Sequence, residues 1–201
     1  MKSIIVATAN QGKFREIRED LSGIFDSFYS LADFTEHVEV EEDRSTYAEN
    51  AWKKARKIGE RFGISTLADD SGLEVEALGG RPGLYSARYG ASDDDRIERL
   101  LSELEGVPLE KRRAAFKAYL SFYTPGDGKT YFFYGCLKGY IGLTRKGEGG
   151  FGFDPVFYLP GSDRSLAELP LVEKNRISHR GRALAAFRRF MTIGQPSYMK
   201  R

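Results

Sequence analysis

The chain has 201 residues, 41% of them hydrophobic and 30% charged, with 14 Phe and 11 Tyr, a composition that excludes a disordered polymer and supplies a full core. Lys and Arg total 31 against 29 Asp and Glu, so the formal charge of +2 excludes a broad basic surface for nucleic acid and leaves room only for local patches. The single Cys136 cannot form an intrachain disulfide, and the opening residues are too short for a secretory apolar segment, which together point to a soluble protein of a reducing cytoplasm.

The β-branched run from Ser3 to Ala9 predicts a strand, and Phe14, Ile17, Leu21 and Ile24 at helical spacing predict a helix from Lys13. Between them lies Thr8-Ala9-Asn10-Gln11-Gly12-Lys13. A loop entering a helix in this way offers backbone N–H groups and a lysine to a phosphate, although the Gly-rich spacing of a Walker A loop is missing and an ordinary turn fits the same residues. Glu41-Glu42-Asp43 supplies oxygen ligands for a cation, or a solvated charge run. Thr46-Tyr47-Ala48-Glu49 reads as a capping box opening a helix with Ala51, Ala55, Ile58 and Phe62 on one face, stopped by Gly63. His37, on the acidic segment before it, reads as a structural histidine.

Ile64 to Ala68 predicts a buried strand running straight into Asp69-Asp70-Ser71-Gly72, so that the acid pair sits where the strand ends, with a further strand from Leu73 to Ala77. Hard divalent cations such as Mg²⁺ prefer carboxylate oxygens and take few protein ligands, so the acid pair suits metal-assisted phosphate chemistry. Neighbouring side chains of an extended segment point oppositely, which would give the two acids separate duties. Alone, the pair reads equally well as a turn with two solvated acids.

Asp93-Asp94-Asp95 predicts a helix start, the acids complementing the positive helix end. Two aromatic-rich strands, Ala114 to Tyr123 and Thr130 to Leu137, flank Pro125-Gly126-Asp127-Gly128, a strong hairpin turn. The Gly-rich segment Gly147 to Asp154 permits close backbone approach to a ligand, and Phe151 and Phe153 offer faces to a nucleobase, one or both of them otherwise belonging to the core. A strand from Pro155 to Leu159 follows. Lys174 precedes a last helix beginning at Ser178, whose first turn carries His179 and Arg180 against the usual charge preference of a helix start. Interleaved helices and strands with an antiparallel hairpin predict an α/β fold on a mixed sheet.

These segments taken in order resemble the inosine/xanthosine triphosphate pyrophosphatase family over nearly the whole chain. The resemblance rests on residues 8–13, on Ala68-Asp69-Asp70-Ser71-Gly72-Leu73 continuing through Gly79-Gly80-Arg81-Pro82-Gly83 to Ser86-Ala87-Arg88-Tyr89, on Gly150-Phe151-Gly152-Phe153-Asp154-Pro155, and on Glu173-Lys174 with Ser178-His179-Arg180. It implies one domain over residues 1–201, a mixed central sheet flanked by helices, two lobes about a long nucleotide-binding cleft, and a homodimer. It further implies Mg²⁺-dependent hydrolysis of dITP, ITP and XTP to the monophosphate and pyrophosphate. Asp70 would be the catalytic acceptor and a metal ligand, joined by Glu42 and, through water, by Asp69. Thr8, Ala9, Asn10, Gln11, Gly12 and Lys13 would bind the triphosphate, with Ser71, Phe151, Gly152, Phe153, Asp154, Lys174, His179 and Arg180 completing the nucleotide site. His179 and Arg180 would donate to a 6-oxo purine. Members often carry a glycine two positions after the acid that matches Glu42, where this chain has Arg44. A pyrimidine-nucleotide pyrophosphatase, a nucleotide-sensing binding protein and a nucleic-acid module are the other classes weighed.

Overall fold

The computed structural model describes residues 2–36 and 38–193; His37 lies outside them. The strands are β1 (Ser3–Ala7), β2 (Ser27–Ser30), β3 (Thr66–Val75), β4 (Arg113–Thr124), β5 (Lys129–Ile141) and β6 (Phe157–Tyr158). They form a six-stranded sheet in the order β2-β1-β3-β4-β5-β6. It is mixed: β1 runs parallel to β2 and β3, whereas β6 is antiparallel to β5. The helices are α1 (Gln11–Asp20), α2 (Tyr47–Phe62), α3 (Asp93–Glu103), α4 (Leu171–Ile177) and α5 (His179–Ile193). Among the described residues no helix is long and apolar enough to cross a membrane.

The chain divides into two compact units, and β3, β4 and β5 each carry residues of both. The first unit comprises Met1–Asp70, Ala118–Gly135 and Arg180–Arg201. Its apolar core has two parts. Ile4 and Val6 of β1, Ile17 and Leu21 around α1, and Ala183, Leu184 and Phe187 of α5 form one. Ile5 and Ala7 join Ala55 and Ile58 of α2 in the other, the alternation along β1 sending successive residues to opposite faces. Phe187 gathers Phe25, Phe122 and Phe133 within 5.0–6.2 Å of its ring centre. The second unit, Ser71–Lys117 and Cys136–His179, buries Leu73, Ile97, Leu100, Phe116, Leu137, Phe157 and Leu166 together.

Local signals explain the helix boundaries. Thr46 accepts a hydrogen bond from the Glu49 backbone N–H at 3.2 Å, and Gly63 closes α2 at φ 66°, a left-handed conformation that glycine adopts without a Cβ penalty. Ser92 and Asp95 form a reciprocal capping box on α3. The last turn of α3 holds no basic residue. Arg112, only 5% exposed, supplies the positive charge from outside the helix by donating to the carbonyls of Leu104, Val107 and Gly142 at 2.7, 2.9 and 3.2 Å.

Several elements differ from the sequence-based expectation. Residues 69–72 do not form a turn between two strands, because β3 passes straight through them. Turn chemistry loses here because both carboxylates are buried and provided with partners along an extended backbone. The strand expected over residues 155–159 shrinks to Phe157–Tyr158 after a 3₁₀ turn. Lys174 precedes the last helix as expected but stands on a short helix of its own, α4, and Ser178 separates α4 from α5 rather than opening the last helix. The short edge strand β2 carries too little pattern to be read in advance.

Candidate functional site

In the first unit the turn from β1 into α1 is built by its own side chains. Thr8 Oγ1 accepts from the Asn10 N–H at 3.1 Å, and Asn10 caps the helix by accepting from the Lys13 N–H at 3.0 Å. Gln11 and Gly12 then form the first turn of α1, leaving N–H groups at a positive helix end, where an anion is favoured. Lys13 reaches from the same turn to β3, with its Nζ 2.6 Å from Asp69 Oδ2.

Asp69 and Asp70 share a strand but not an environment. Asp69 Oδ2 also receives Arg180 at 3.3 Å, and Arg180 holds Glu16 Oε2 at 2.5 Å. Burial alone would raise the Asp69 carboxyl, but the Arg180 guanidinium and the Lys13 ammonium outweigh it and hold Asp69 far below the usual carboxylate range. Asp70 has the opposite balance. Burial pushes it up to about 6, the neighbouring Glu42 adds to the rise, and Lys54, Lys13 and a hydrogen bond with Asn50 only partly offset it. Lys54 is itself shared, lying 2.5 Å from Glu42 Oε1 and 2.7 Å from the Asp69 carbonyl.

The residue two positions beyond Glu42, Arg44, is half exposed and lies 3.5 Å from Asp43. Its backbone N–H donates to Asn50 Oδ1 at 2.9 Å, which ties the acidic segment to α2. Glu16, Asn50 and Lys54 escaped the sequence reading. The available signal was a polar or charged residue recurring beside the apolar face of a helix: Glu16 next to Ile17, and Asn50 and Lys54 next to Ala51 and Ala55.

In the second unit a different set converges on the Gly-rich loop. Asp154, buried at 3%, accepts from the Phe151 N–H at 2.9 Å and from Lys174 Nζ at 2.7 Å. Lys174 also sits 4.5 Å above the Phe151 ring, a cation–π contact that orients the ring. Gly150 makes this possible: its φ is 74°, and a Cβ there would come within 2.2 Å of Asp154 Oδ2. The next N–H, of Gly152, donates to Asp93 Oδ2 at 2.7 Å, which gives the acid triplet of α3 a second duty. Phe153 is 4% exposed, packed in the core with Tyr89 at 6.3 Å, while Phe151 is half-buried. His179 stacks on Phe116 with ring centres 4.7 Å apart and planes 10° from parallel. Ser71 opens this unit, half-buried. A cavity of about 960 Å³ in this unit, lined among others by Glu74, Gly79, Gly80, Arg113, Lys117 and Tyr140, contains none of the catalytic, metal or substrate-binding residues that the resemblance implies.

Thus the first unit joins residues 8–13, Glu42, Asp69, Asp70 and Arg180, and the second joins Phe151, Gly152, Asp154 and Lys174 in one loop, with His179 on the Phe116 ring. The first set has the composition of a phosphate and cation site, with a helix N-terminus, Lys13 with Lys54 beside it, and a carboxylate poised near neutrality. The second offers an oriented aromatic face and an imidazole, groups suited to a heterocyclic base.

The chain as a whole is similar to known proteins. The Ham1 family model matches residues 4–190. The dITP/XTP pyrophosphatase of Geobacter sulfurreducens is 51% identical over 188 residues, covering 92% of this chain and 94% of that protein. The dITP/XTP pyrophosphatase of Thermus thermophilus is 44% identical over 195 residues, covering 96% and 93%. A HAM1 protein from Coxiella burnetii shares the fold with a TM-score of 0.85 at 37% identity, over 96% of this chain and all of that one. A family match over nearly the whole length, joined by relatives at these identities, shows that the chain belongs to the Ham1 family.

Proposed function

We propose that this protein is a Mg²⁺-dependent pyrophosphatase that hydrolyses dITP, ITP and XTP to the nucleoside monophosphate and pyrophosphate, clearing these purines from the nucleotide pool. The observation that carries the reading is the separation of Asp69 and Asp70: adjacent carboxyls, one locked ionised and the other raised to about 6, are how a site assigns distinct acid–base duties. The names of the Geobacter and Thermus relatives support the substrate class.

Residues 8–13 would receive the triphosphate at the N-terminus of α1, with Lys13 matching the charge of the phosphate tail. Asp70 would accept the proton of a water that attacks the α-phosphorus in line, as the bond from the α-phosphorus to the bridging oxygen breaks and pyrophosphate leaves. With its carboxyl near 6, Asp70 is mostly ionised at neutral pH yet basic enough to take the proton.

The donor set fits a hard cation. Asp70 and Glu42 are like charges whose proximity helps raise Asp70, and the Asn50 amide lies beside them, so a divalent ion would relieve that repulsion with few protein ligands. Mg²⁺ bound there would neutralise phosphate charge and lower the pKa of nearby water. Among the described residues there is no cluster of three or more Asp, Glu, His or Cys arranged to hold a metal, so substrate phosphates and water would complete its shell.

Phe151 would stack on the base, and the His179 imidazole would donate to the 6-oxo group, a partner that adenine lacks. Ser71, Gly152, Phe153, Asp154 and Lys174 would shape and brace the nucleotide site. A homodimer and a cytoplasmic setting belong to the same reading. The test is pyrophosphate release from dITP, ITP, XTP, GTP and ATP, with and without Mg²⁺. Mg²⁺-dependent release that is fast for the first three and slow for ATP is expected; turnover of ATP as fast as of ITP refutes the substrate assignment.

A further inference from the structure

We infer that Glu16 is a positioning residue of the reaction proposed above, acting through Arg180 to fix Asp69 and, beyond it, Lys13. The observation is a closed ring of alternating charge within the first unit. Glu16 Oε2 takes one terminal nitrogen of Arg180 at 2.5 Å, and the other terminal nitrogen reaches Asp69 Oδ2 at 3.3 Å. The same Asp69 oxygen takes Lys13 Nζ at 2.6 Å. Lys13 and Glu16 stand three residues apart on α1, so the ring starts and ends on that helix after passing through α5 and β3.

The side chains of Glu16, Asp69 and Arg180 are 4%, 0% and 2% exposed. Two acids and two bases leave the ring neutral. Burying three of these charges is a poor way to gain stability, since apolar side chains of similar volume do as well or better. What such a ring does provide is register, because each member is satisfied in one arrangement and left with an uncompensated buried charge in others.

Lys13, at 18%, is the most exposed member and, under the function proposed above, the one that would meet the phosphate tail. When its ammonium turns to phosphate, Asp69 keeps Arg180, and Arg180 stays in place because Glu16 holds its other side. Without Glu16 the guanidinium has one carboxylate and no opposing anchor. The Asp69–Asp70 peptide and the start of α1 then lose their common brace, and a displacement of about 1 Å at reacting groups can cost on the order of a hundredfold in rate. The loss should therefore fall on kcat more than on KM. Arg180 thereby acts on the acid pair rather than on the base.

The experiment is a double-mutant cycle on the full chain with dITP and Mg²⁺ at 25 °C, using Glu16→Gln, Arg180→Lys and the pair. Glutamine keeps the shape of Glu16 and removes its charge. Glu16→Gln should lower kcat tenfold or more with KM changed less than threefold, and the double variant should lie within twofold of Arg180→Lys alone. A purely architectural brace would lower the melting temperature without this split and without this coupling. Kcat within twofold of wild type for folded Glu16→Gln, or losses that multiply in the double variant, overturns the inference. Where Glu16→Gln melts below 25 °C, Glu16→Asp, which keeps the charge on a shorter stem, replaces it in the cycle under the same criteria. Wild type is assayed alongside: no dITP turnover there refutes the proposed function itself, whereas normal wild-type turnover with unaffected variants refutes only the ring.

Discussion

Replacing Asp70 by Asn should make the metal-free protein more stable while removing its activity, because the ionised carboxylate is held at a cost. Burial and Glu42 raise Asp70 from 3.8 to about 6, roughly two pKa units, and one unit corresponds to about 1.36 kcal/mol, so the ionised group opposes folding by at most about 3 kcal/mol. The sign follows from proton linkage. Between pH 4 and 6 the folded state binds more protons at this site than the unfolded state does, so this contribution to stability is fully present below about 4 and is lost as pH rises through 6. Asparagine has no such dependence. The difference in unfolding free energy, Asp70→Asn minus wild type, should be near zero at pH 4 and climb to roughly 2–3 kcal/mol by pH 7.5, a gain of order 5–10 °C in Tm for a chain of this size. Urea unfolding in EDTA from pH 4 to 8 measures it. Added Mg²⁺ should raise the Tm of wild type and do little for the variant, since a ligand stabilises only the state that binds it. A difference that is flat with pH, or a variant less stable at pH 7.5, would refute the account of Asp70, as would a kcat reduced less than about a hundredfold.

Lys13→Ala should weaken calorimetric binding of a triphosphate more than that of the monophosphate, since its partner is the phosphate tail; equal losses would make it a surface residue that happens to pair with Asp69. His179→Ala should narrow the ITP-to-ATP ratio of kcat/KM by tenfold or more, because an unmet 6-oxo acceptor removes the basis of choice, whereas Arg180→Ala should lower both substrates alike. Phe151→Ala should weaken every purine together by about 1–3 kcal/mol, as stacking is insensitive to base identity. Phe153→Ala should instead destabilise the fold by about 3–5 kcal/mol, read by denaturant unfolding, because its ring is part of the core.

Elements with local signals were legible in the sequence. Thr46 and Gly63 bound α2 because capping is written in a few consecutive residues, and residues 125–128 turn the hairpin because their preferences need no distant partner. The motifs of the site were legible for the same reason. For Asp69 and Asp70 an extended pair and a turn read equally well, because what straightens β3 there is long-range: Lys13, Arg180 and Asn50 come from 20 to 111 residues away and satisfy the acids in an extended backbone. Arg180 was read as a free donor for the same reason, since nothing local announces Glu16 as its partner. Phe151 and Phe153 look interchangeable as letters. Their different fates, one over Lys174 and one in the core, depend on Asp154 and Gly150 setting the loop's path.

Arg112 bears on the order in which the second unit assembles. Two of its three carbonyl partners, Leu104 and Val107, lie only eight and five residues back, while Gly142 is thirty residues on. The short loops close at little entropic cost and join the end of α3 to the residue just before β4, ahead of the distant partner. The third bond then waits for the far end of β5. A single guanidinium, whose rigid fork can serve three acceptors at once where an ammonium on a flexible stem would not hold the same geometry, can therefore act as an early clasp and a late lock on one folding route. Amides around residues 104–112 should accordingly gain protection from hydrogen exchange ahead of those near Gly142 during refolding.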